Sequence, residues 1–298
     1  MRTTALTCAL LAASSAFAQG LVDPFASEVI EYQPGADVTP GFDNPASALG
    51  EPTRFTGVGS FPGAVTPFNP PFLTDEVVTV GAGGSLTLRL GTPATDAVFN
   101  PFGIDLIVFH NGGYLDAAFP DGVVGGAFFD GGVIEVSADG VTFVVVSDTA
   151  AEDDFPTLGY LDLVGPFTDI PGSVLSDFRM PVNPALVPDG LNFGQIVDAY
   201  AGSGGGIGID LATVGLSEAR LVRITASDGQ GPEIDAVSVV RSLCEADVDG
   251  NGSLDIFDFL EFQNRFVSGD ARADFDESGA IDLFDFLAFQ DAFAAGCP

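Results

Sequence analysis

Two acidic segments near the C-terminus repeat the same residue pattern at an offset of 27 positions, from Asp247 to Asp258 and from Asp274 to Asp285. Counted from the first Asp, side-chain oxygens fall at positions 1, 3, 5, 9 and 12, and position 6 is glycine. Calcium loops use this spacing, because a hard cation prefers about six to eight oxygens and the glycine permits a sharp turn. Several carboxylates this close would repel one another strongly without a divalent ion among them.

The spacing therefore predicts two calcium ions, one in each loop. The alternative, that the segments are merely solvated acidic turns, is disfavoured because two copies align. Position 7 supplies only its backbone carbonyl. The predicted ligands are Asp247, Asp249, Asn251, Ser253, Asp255 and Asp258 in the first loop, and Asp274, Asp276, Ser278, Ala280, Asp282 and Asp285 in the second.

Each loop is followed by a segment with helical periodicity, so each unit is predicted to be a loop and one helix. Cys244 leaves no room for a helix before the first loop, and position 12 is Asp where an EF-hand sensor has Glu. The apolar sides of the two helices are expected to pack together. Their residues are Phe259, Leu260, Phe262 and Phe266, and Phe286, Leu287, Phe289 and Phe293.

The stretch from Cys244 to Cys297 closely resembles a type I dockerin domain, in the variant that ends in Gly-Cys. The resemblance implies two calcium ions, a pseudo-twofold pair of helices, and docking onto a cohesin module on a scaffold or cell surface. The family's recognition positions correspond here to Ile256-Phe257 and Leu283-Phe284, which predicts a hydrophobic partner groove. The alternative is that these apolar side chains belong to the core. Ser278 replaces the usual Asn, so the second loop is expected to bind its ion more weakly.

Residues 1–18 have the features of a secretory signal, with Arg2, an apolar run and the small-residue site Ala16-Phe17-Ala18. The mature chain is then expected to begin at Gln19 and to be secreted, extracellular or on the cell surface. Cys244 and Cys297 remain in the mature chain, and oxidation predicts one disulfide between them. No later stretch has the roughly twenty apolar residues of a membrane span.

The chain has 298 residues, with 42 Asp and Glu against 9 Lys and Arg, and its formal net charge is −33. This charge excludes nucleic acid as a natural partner, because phosphates are bound through clustered cations. Lysine is absent, which excludes lysine nucleophiles. The high glycine and proline content, 38 and 20 residues, favours a mainly β fold rich in turns.

Residues 19–242 are predicted to form one β-sandwich of jelly-roll type, and residues 243–298 the dockerin-like module. Ser85–Leu90 alternates strictly, so its leucines should face a core and Arg89 solvent. No sustained helical periodicity is found, and residues 148–206 are expected to be a loop-rich excursion. The remaining strand predictions are a central strand at 104–109, a hairpin of 133–137 with 141–146, and a pair of 221–225 with 234–240.

Short strings in this domain resemble a family of bacterial secreted cell-surface proteins with a galactose-binding-like jelly roll. They include Ala48-Leu49-Gly50-Glu51-Pro52, Asp105-Leu106-Ile107-Val108-Phe109 and Ile234-Asp235-Ala236-Val237. The resemblance implies an extracellular, non-enzymatic module. His110 stands where that family commonly has Glu, which puts any site that uses this carboxylate in doubt.

Few residues of the large domain suit catalysis. His110 is the sole histidine, so a Ser-His-Asp triad would have to pass through it, and a turn-capping or surface role is favoured. Asp105, Asp210 and Asp235 are candidates for a structural ion, although polar turns explain them equally well. Two functions remain open. One is a non-catalytic adhesion protein, possibly carbohydrate-binding, that is anchored through its dockerin; the other is a component of a polysaccharide-degrading complex, either a glycoside hydrolase or its targeting module.

Overall fold

The computed structural model describes residues 23–57, 62–226, 231–249, 253–276 and 278–297. The predicted signal peptide and the predicted ligand Asn251 lie outside these residues. In chain order, the described elements are β1 (Ala26–Gln33), β2 (Phe55–Thr56), β3 (Gly63–Ala64), β4 (Val78–Thr79), β5 (Ser85–Thr95), β6 (Leu106–His110), β7 (Gly113–Asp116), β8 (Val124–Phe128), β9 (Gly131–Ser137), β10 (Val144–Glu152), α1 (Phe193–Tyr200), β11 (Ile207–Ile209), β12 (Glu218–Thr225), β13 (Glu233–Val239), α2 (Ile256–Ser268) and α3 (Leu283–Ala295).

The strands form two main antiparallel sheets, so the predicted β-rich class is confirmed. One sheet has the order β1-β5-β12-β9-β10 and the other β11-β6-β13-β4. Leu86 and Leu88 of the first sheet share one buried cluster with Leu106 and Val108 of the second. The main core therefore lies between the two sheets, and we call this part of the molecule, residues 23–242, the sandwich.

The alternation predicted for residues 85–90 is confirmed in β5. Leu86, Leu88 and Leu90 are buried, whereas Arg89 is exposed and pairs with Glu28 at 2.7 Å. The dense apolar run that predicted a central strand is β6, which lies between β11 and β13. All five of its residues are buried because both faces are covered: Leu106 and Val108 belong to the main core, whereas Ile107 and Phe109 belong to a second buried cluster with Phe178.

One of the two predicted strand pairs is confirmed and the other is wrong. Strands β9 and β10 pair antiparallel as expected. Strand β12 instead pairs with β5 and β9, whereas β13 pairs with β4 and β6 in the other sheet. Alternating apolar residues show that a strand has a buried face, but they do not show which sheet it joins, because both sheets face one core.

The excursion predicted for residues 148–206 is mostly irregular, but its first five residues belong to β10 and it contains α1, which the sequence prediction missed. Phe193, Ile196 and Tyr200 are the buried residues of this helix. Asn192 caps it: its side chain accepts from the backbone N–H of Gln195, whose side chain accepts from the backbone N–H of Asn192. This capping box was a usable signal, but eight residues are too short to produce sustained periodicity.

Residues 243–297, which we call the tail, carry α2 and α3. The predicted disulfide between Cys244 and Cys297 is present, with the two Cα atoms 5.1 Å apart. Within the described residues no helix occurs between β13 and α2. The tail contacts the sandwich where the backbone N–H of Leu243 donates to the carbonyl of Phe99 at 3.0 Å. Among the helices that the structure describes, none has the length and apolarity to cross a membrane.

Candidate metal centres

Stacked phenylalanine rings join the two tail helices. Phe262 and Phe289 are completely buried, and their ring centroids lie 4.2 Å apart with 3° between the planes. They occupy equivalent positions of the two repeats. Phe259 contacts Phe289 at 5.9 Å, and the equivalent contact joins Phe286 to Phe262 at 6.3 Å. Such reciprocal contacts between equivalent residues are the pattern of a twofold interface, here between the two repeats.

The expectation that all eight apolar helix residues pack together is correct only in part. Leu260 and Leu287 are substantially exposed, at 46% and 45%. The six phenylalanines belong to, or pack against, the buried tail cluster. Aromatic side chains fill the narrow space between two short helices, so the leucines on the adjoining faces are left in contact with solvent.

Three carboxylates converge in the second loop. Oxygens of Asp274, Asp276 and Asp285 all lie within 4.8 Å of one another. Asp285 is completely buried, and its carboxylate accepts from the backbone N–H groups of Phe275 at 2.7 Å, Asp276 at 3.2 Å and Asp282 at 2.7 Å. The aspartate at position 12 therefore organises the backbone of its loop while it faces the other two acids.

The first loop has the same arrangement. Oxygens of Asp247, Asp249 and Asp258 also lie within 4.8 Å of one another. Asp258 is completely buried and accepts from the backbone N–H groups of Asp249 at 3.3 Å and Asp255 at 2.8 Å. The structure thus brings together positions 1, 3 and 12 of both loops, all of which were predicted ligands.

The predicted ligands at position 9 begin the helices. Asp255 accepts from the backbone N–H of Phe257 at 2.7 Å, and Asp282 accepts from that of Phe284 at 2.8 Å. Each is the N-cap of its helix, where a carboxylate satisfies a free backbone donor. Position 9 of a calcium loop often contacts its ion through water, so a ligand role for Asp255 and Asp282 stays a prediction.

Three other predicted ligands within the described residues are not acidic: Ser253, Ser278 and Ala280. The hydroxyl of Ser278 donates to the carbonyl oxygen of Ala280 at 3.4 Å, and the backbone N–H of Ser278 donates to Asp276 at 3.0 Å. Ser253 is exposed. Both contacts of Ser278 are therefore made within its own loop. Ligation by Ser253, Ser278 and Ala280 stays a prediction.

Asp274 has a buried oxygen with no partner. The residue is 7% exposed, and its Oδ2 accepts from the backbone N–H of Gly279 at 2.9 Å. Within the described residues its Oδ1 is buried and makes no hydrogen bond. Burial, together with the charges of Asp285 and Asp276, raises the pKa of Asp274. An unpaired buried carboxylate oxygen is costly, so the chemistry of this loop fits a bound cation.

A further acidic group, which the sequence did not predict, lies in the sandwich. Oxygens of Asp130, Glu152 and Glu233 lie within 4.8 Å of one another. Glu152 is almost completely buried, and its two oxygens accept from the backbone N–H groups of Asp130 at 2.9 Å and Glu233 at 2.6 Å. Burial raises the pKa of Glu152 to about 8 and that of Glu233 to about 7. These three acids come from three segments that are distant in the chain, so no local sequence pattern could have predicted the group.

Two of the three turn acids considered as ion ligands do converge. Asp105 and Asp210 lie with Asp96 in a group whose oxygens are within 4.8 Å of one another. Asp105 is completely buried, and its oxygens accept from Asn100 Nδ2 and from the backbone N–H of Leu211, both at 2.7 Å. Burial raises its pKa to about 6. The group has the oxygens for a cation, but the most buried carboxylate already has partners.

Asp235, the third turn acid, lies apart from these groups. Its two oxygens accept from the backbone N–H and the hydroxyl of Thr53, both at 2.9 Å. Burial raises its pKa to about 7. Asp235 therefore ties the segment before β2 to β13, which is a structural role.

His110 caps a turn, as favoured by the sequence, but it is completely buried rather than at the surface. Its Nδ1 accepts from the backbone N–H of Gly112 at 3.0 Å. Burial lowers the pKa of His110 to about 4. A catalytic triad needs an Nδ1 that donates to a carboxylate, so this arrangement disfavours His110 as a catalytic base.

The apolar pairs at the start of the tail helices lie at the surface. Ile256 and Phe257 are 60% and 61% exposed, and Leu283 and Phe284 are both 65% exposed. These values exclude the alternative that the four side chains belong to the core. Their matched exposure gives the tail two equivalent apolar patches beside its two acidic loops.

No protein-family model matches this chain, and no curated protein matches it in sequence.

Proposed function

We propose that the tail is a calcium-dependent docking module, and that the protein is secreted and held at an extracellular surface through it. The observation that carries the proposal is the repeated convergence of three carboxylates, with Asp274 Oδ1 buried and unpaired in the second loop. A bound cation would supply the missing partner for this oxygen. In the first loop, Asp247 and Asp258 are similarly buried.

Calcium fits these groups better than a transition metal does. Only carboxylates form the two clusters, and both tail cysteines are joined in the disulfide. Zinc and copper sites usually use imidazole or thiolate ligands, whereas calcium takes oxygen ligands in a flexible geometry. Backbone carbonyls and water complete such sites.

The proposed partner is a cohesin-type module on a scaffold or surface protein. This proposal rests on the dockerin resemblance and on the exposure of Ile256, Phe257, Leu283 and Phe284. An exposed apolar patch of this kind marks an interaction surface, since burying it against a partner is favourable. Calcium would act indirectly, by fixing the loops from which the apolar residues project.

For the sandwich we propose a jelly-roll, galactose-binding-like module without catalytic activity, which displays a carbohydrate-binding or adhesive surface. The two facing antiparallel sheets support this architecture. The burial of His110 and the bond from Gly112 to its Nδ1 support a non-catalytic role. A glycan array combined with hydrolysis assays on the full chain tests this part, and substrate turnover would contradict it.

Isothermal titration of the full chain with calcium tests the metal proposal. Asp258→Asn and Asp285→Asn should each weaken one site at least about tenfold, because each removes a charged ligand and sets an amide nitrogen against a backbone N–H that the carboxylate had accepted from. Glu152→Gln, a matched loss of one buried carboxylate in the sandwich, should leave both tail sites unchanged. If calcium uptake is absent, or persists at full strength in the double variant of Asp258 and Asp285, the tail is not the calcium module.

A cohesin panel tests the docking proposal in the presence of calcium. The double variant Ile256→Asp with Leu283→Asp should lose most of the affinity, because it places charge in both apolar patches. Val267→Asp is the control, since Val267 is 86% exposed on α2 but lies near the other end of the helix. Equal loss in the control, or unchanged affinity in the double variant, would count against these patches as the docking surface.

A further inference from the structure

The tail packs against one segment of the sandwich, between β5 and β6. Phe99 of this segment packs against the buried tail cluster that contains Cys244, Phe262 and Phe289. Its carbonyl oxygen also accepts from the backbone N–H of Leu243 at 3.0 Å. Within the described residues, Phe99 is the one sandwich residue that packs against this cluster. The core of the tail is therefore completed by a side chain that the tail itself does not supply.

The two acidic loops differ in their position relative to the sandwich. A cleft of about 330 Å³ lies between the sandwich and the first loop. Thr95 and Asp96 line it from the sandwich, and Asp247 and Asp249 line it from the first loop. From the second loop Phe275 reaches the cleft, but none of the described ligands predicted for that loop does. Two loops with the same residue pattern therefore have different surroundings, and only the acids of the first face the sandwich.

Charged side chains line both sides of this cleft. The acids are Asp96 of the sandwich and Glu245, Asp247 and Asp249 of the tail, and the arginines are Arg179, Arg265 and Arg272. Arg265 pairs with Glu261 of the tail at 2.9 Å. Arg272 pairs with Asp270 of the tail at 2.6 Å. Without an ion, the first loop presents negative charge to Asp96 across the cleft, and a divalent cation would remove this repulsion.

A continuous set of contacts joins the first loop to Phe99. The Nη2 of Arg265 in α2 donates to the backbone carbonyl of Val248, which lies between two predicted ligands of the first loop, at 2.8 Å. The side chain of Val248 packs against the same buried tail cluster as Phe99. A change in the backbone of the first loop therefore reaches the contact between the tail and the sandwich through packed side chains.

We propose that calcium in the first loop fixes the tail against the sandwich, and that the contact of Phe99 with the tail strengthens calcium binding in that loop. This inference rests on the proposed binding of calcium by the tail. The two effects are equal in size, because an ion that strengthens the docking of the tail is bound more tightly by the docked tail by the same factor. The apolar patches around Ile256 and Leu283 then keep a fixed orientation relative to the sandwich only while the first loop holds its ion.

Calcium titration of the full chain tests this coupling in two backgrounds. Asp285→Asn leaves the first loop as the stronger site, and Asp258→Asn leaves the second. In the Asp285→Asn background, Phe99→Ala should weaken calcium binding about fivefold or more, which is the lower end of typical coupling between sites. In the Asp258→Asn background, Phe99→Ala should leave the calcium affinity unchanged, because the second loop does not face the sandwich with its acids.

Val98→Ala is the matched control. Val98 adjoins Phe99, is 67% exposed and does not belong to the buried tail cluster, so its truncation should keep the calcium affinity in both backgrounds. Equal weakening of both loops by Phe99→Ala, unchanged affinity of the first loop, or an equal effect of Val98→Ala would overturn the inference alone. Absence of calcium uptake by the unaltered chain would overturn it together with the proposed function of the tail.

Trypsin gives a second readout that needs no change at Phe99. The chain enters the tail just after Arg241, whose backbone N–H donates to the carbonyl of Arg179 at 3.0 Å. A docked tail holds this segment, so in the Asp285→Asn background calcium should slow cleavage after Arg241 about fivefold or more. In the Asp258→Asn background, at a calcium concentration that fills only the second loop, the cleavage rate should not change. Protection by the second loop alone, or no protection by the first, would overturn the inference.

Discussion

The tail and the sandwich both bring three carboxylates together, but they satisfy them differently. In the sandwich, both oxygens of the buried Glu152 accept from backbone N–H groups. In the tail, both oxygens of Asp285 also accept from backbone N–H groups, but Asp274 Oδ1 is buried with no hydrogen-bond partner among the described residues. Burial, together with the charges of Glu233 and Asp130, raises the pKa of Glu152 to about 8, although its two backbone donors favour the charged form. The unpaired oxygen of Asp274 instead suits a cation. The two acidic groups therefore differ in whether a buried carboxylate oxygen is left without a hydrogen-bond partner.

Removing calcium should produce the largest difference between the two regions. A ligand present at a thousandfold excess over its dissociation constant stabilises the folded state by roughly 4 kcal/mol per ion, so two ions would contribute about 8 kcal/mol to the tail. We expect chelator to lower the melting temperature of the tail and to leave that of the sandwich unchanged. Calorimetry of the full chain measures both transitions. A trace unaffected by chelator would contradict the proposal that calcium stabilises the tail.

The disulfide should have the next largest effect, again confined to the tail. Cys244 and Cys297 are separated by 53 positions, and in the chain-entropy model closing a loop of this length stabilises by about 4 kcal/mol. The double variant Cys244→Ser with Cys297→Ser should therefore lower the melting temperature of the tail in calcium. An equal loss of stability in the sandwich would show that the two regions unfold together.

A change of pH should affect the two regions in opposite directions. Burial raises the folded-state pKa of Glu152 from 4.5 to about 8 and that of Glu233 from 4.5 to about 7. The folded sandwich then binds more protons than the unfolded chain, so its free energy of unfolding falls as the pH rises through this window. Calcium ligands must be deprotonated, so the calcium-loaded tail should lose stability as the pH falls toward the acid range.

The variant Glu152→Gln tests whether Glu152 is the main source of the pH dependence of sandwich stability. The variant should flatten the pH dependence of the sandwich, because its largest source no longer titrates. It should also lower stability at every pH, since the amide nitrogen must face one of two backbone N–H donors. Asp75→Asn, at an exposed acid, is the control and should leave the slope unchanged. Thermal unfolding between about pH 5 and pH 8 measures the slopes, and a sandwich that gains stability with rising pH would contradict the assignment.

Local patterns in the sequence predicted the parts of the fold that depend on near neighbours. The alternation around Leu88 predicted the buried face of β5. The two strand-like segments at 133–137 and 141–146, close together in the chain, predicted the hairpin of β9 and β10. The capping box at Asn192 was also a local signal, but α1 was missed because its periodicity is short. The pairing of β12 and β13 was wrong because the choice of sheet depends on contacts between distant segments.

Whether a candidate site could be predicted also depended on how far apart its residues lie in the chain. A 27-residue repeat predicted the tail loops, and the structure brings positions 1, 3 and 12 of each loop together. The acidic group around Glu152 had no sequence signal, because its residues come from segments that are far apart in the chain. Sequence spacing identifies a site only where one short segment supplies most of its groups.

Spacing within about fifty residues was enough to predict the acidic loops, the helices that follow them and the cysteine pair. Three features became clear only from the packing of the folded chain: the exposure of Ile256 and Phe257, the unpaired oxygen of Asp274, and the approach of Glu152 to Glu233. Burial and hydrogen-bond partners are properties of the packed chain. They depend on contacts between residues that are distant in the chain, and a local sequence pattern does not specify those contacts.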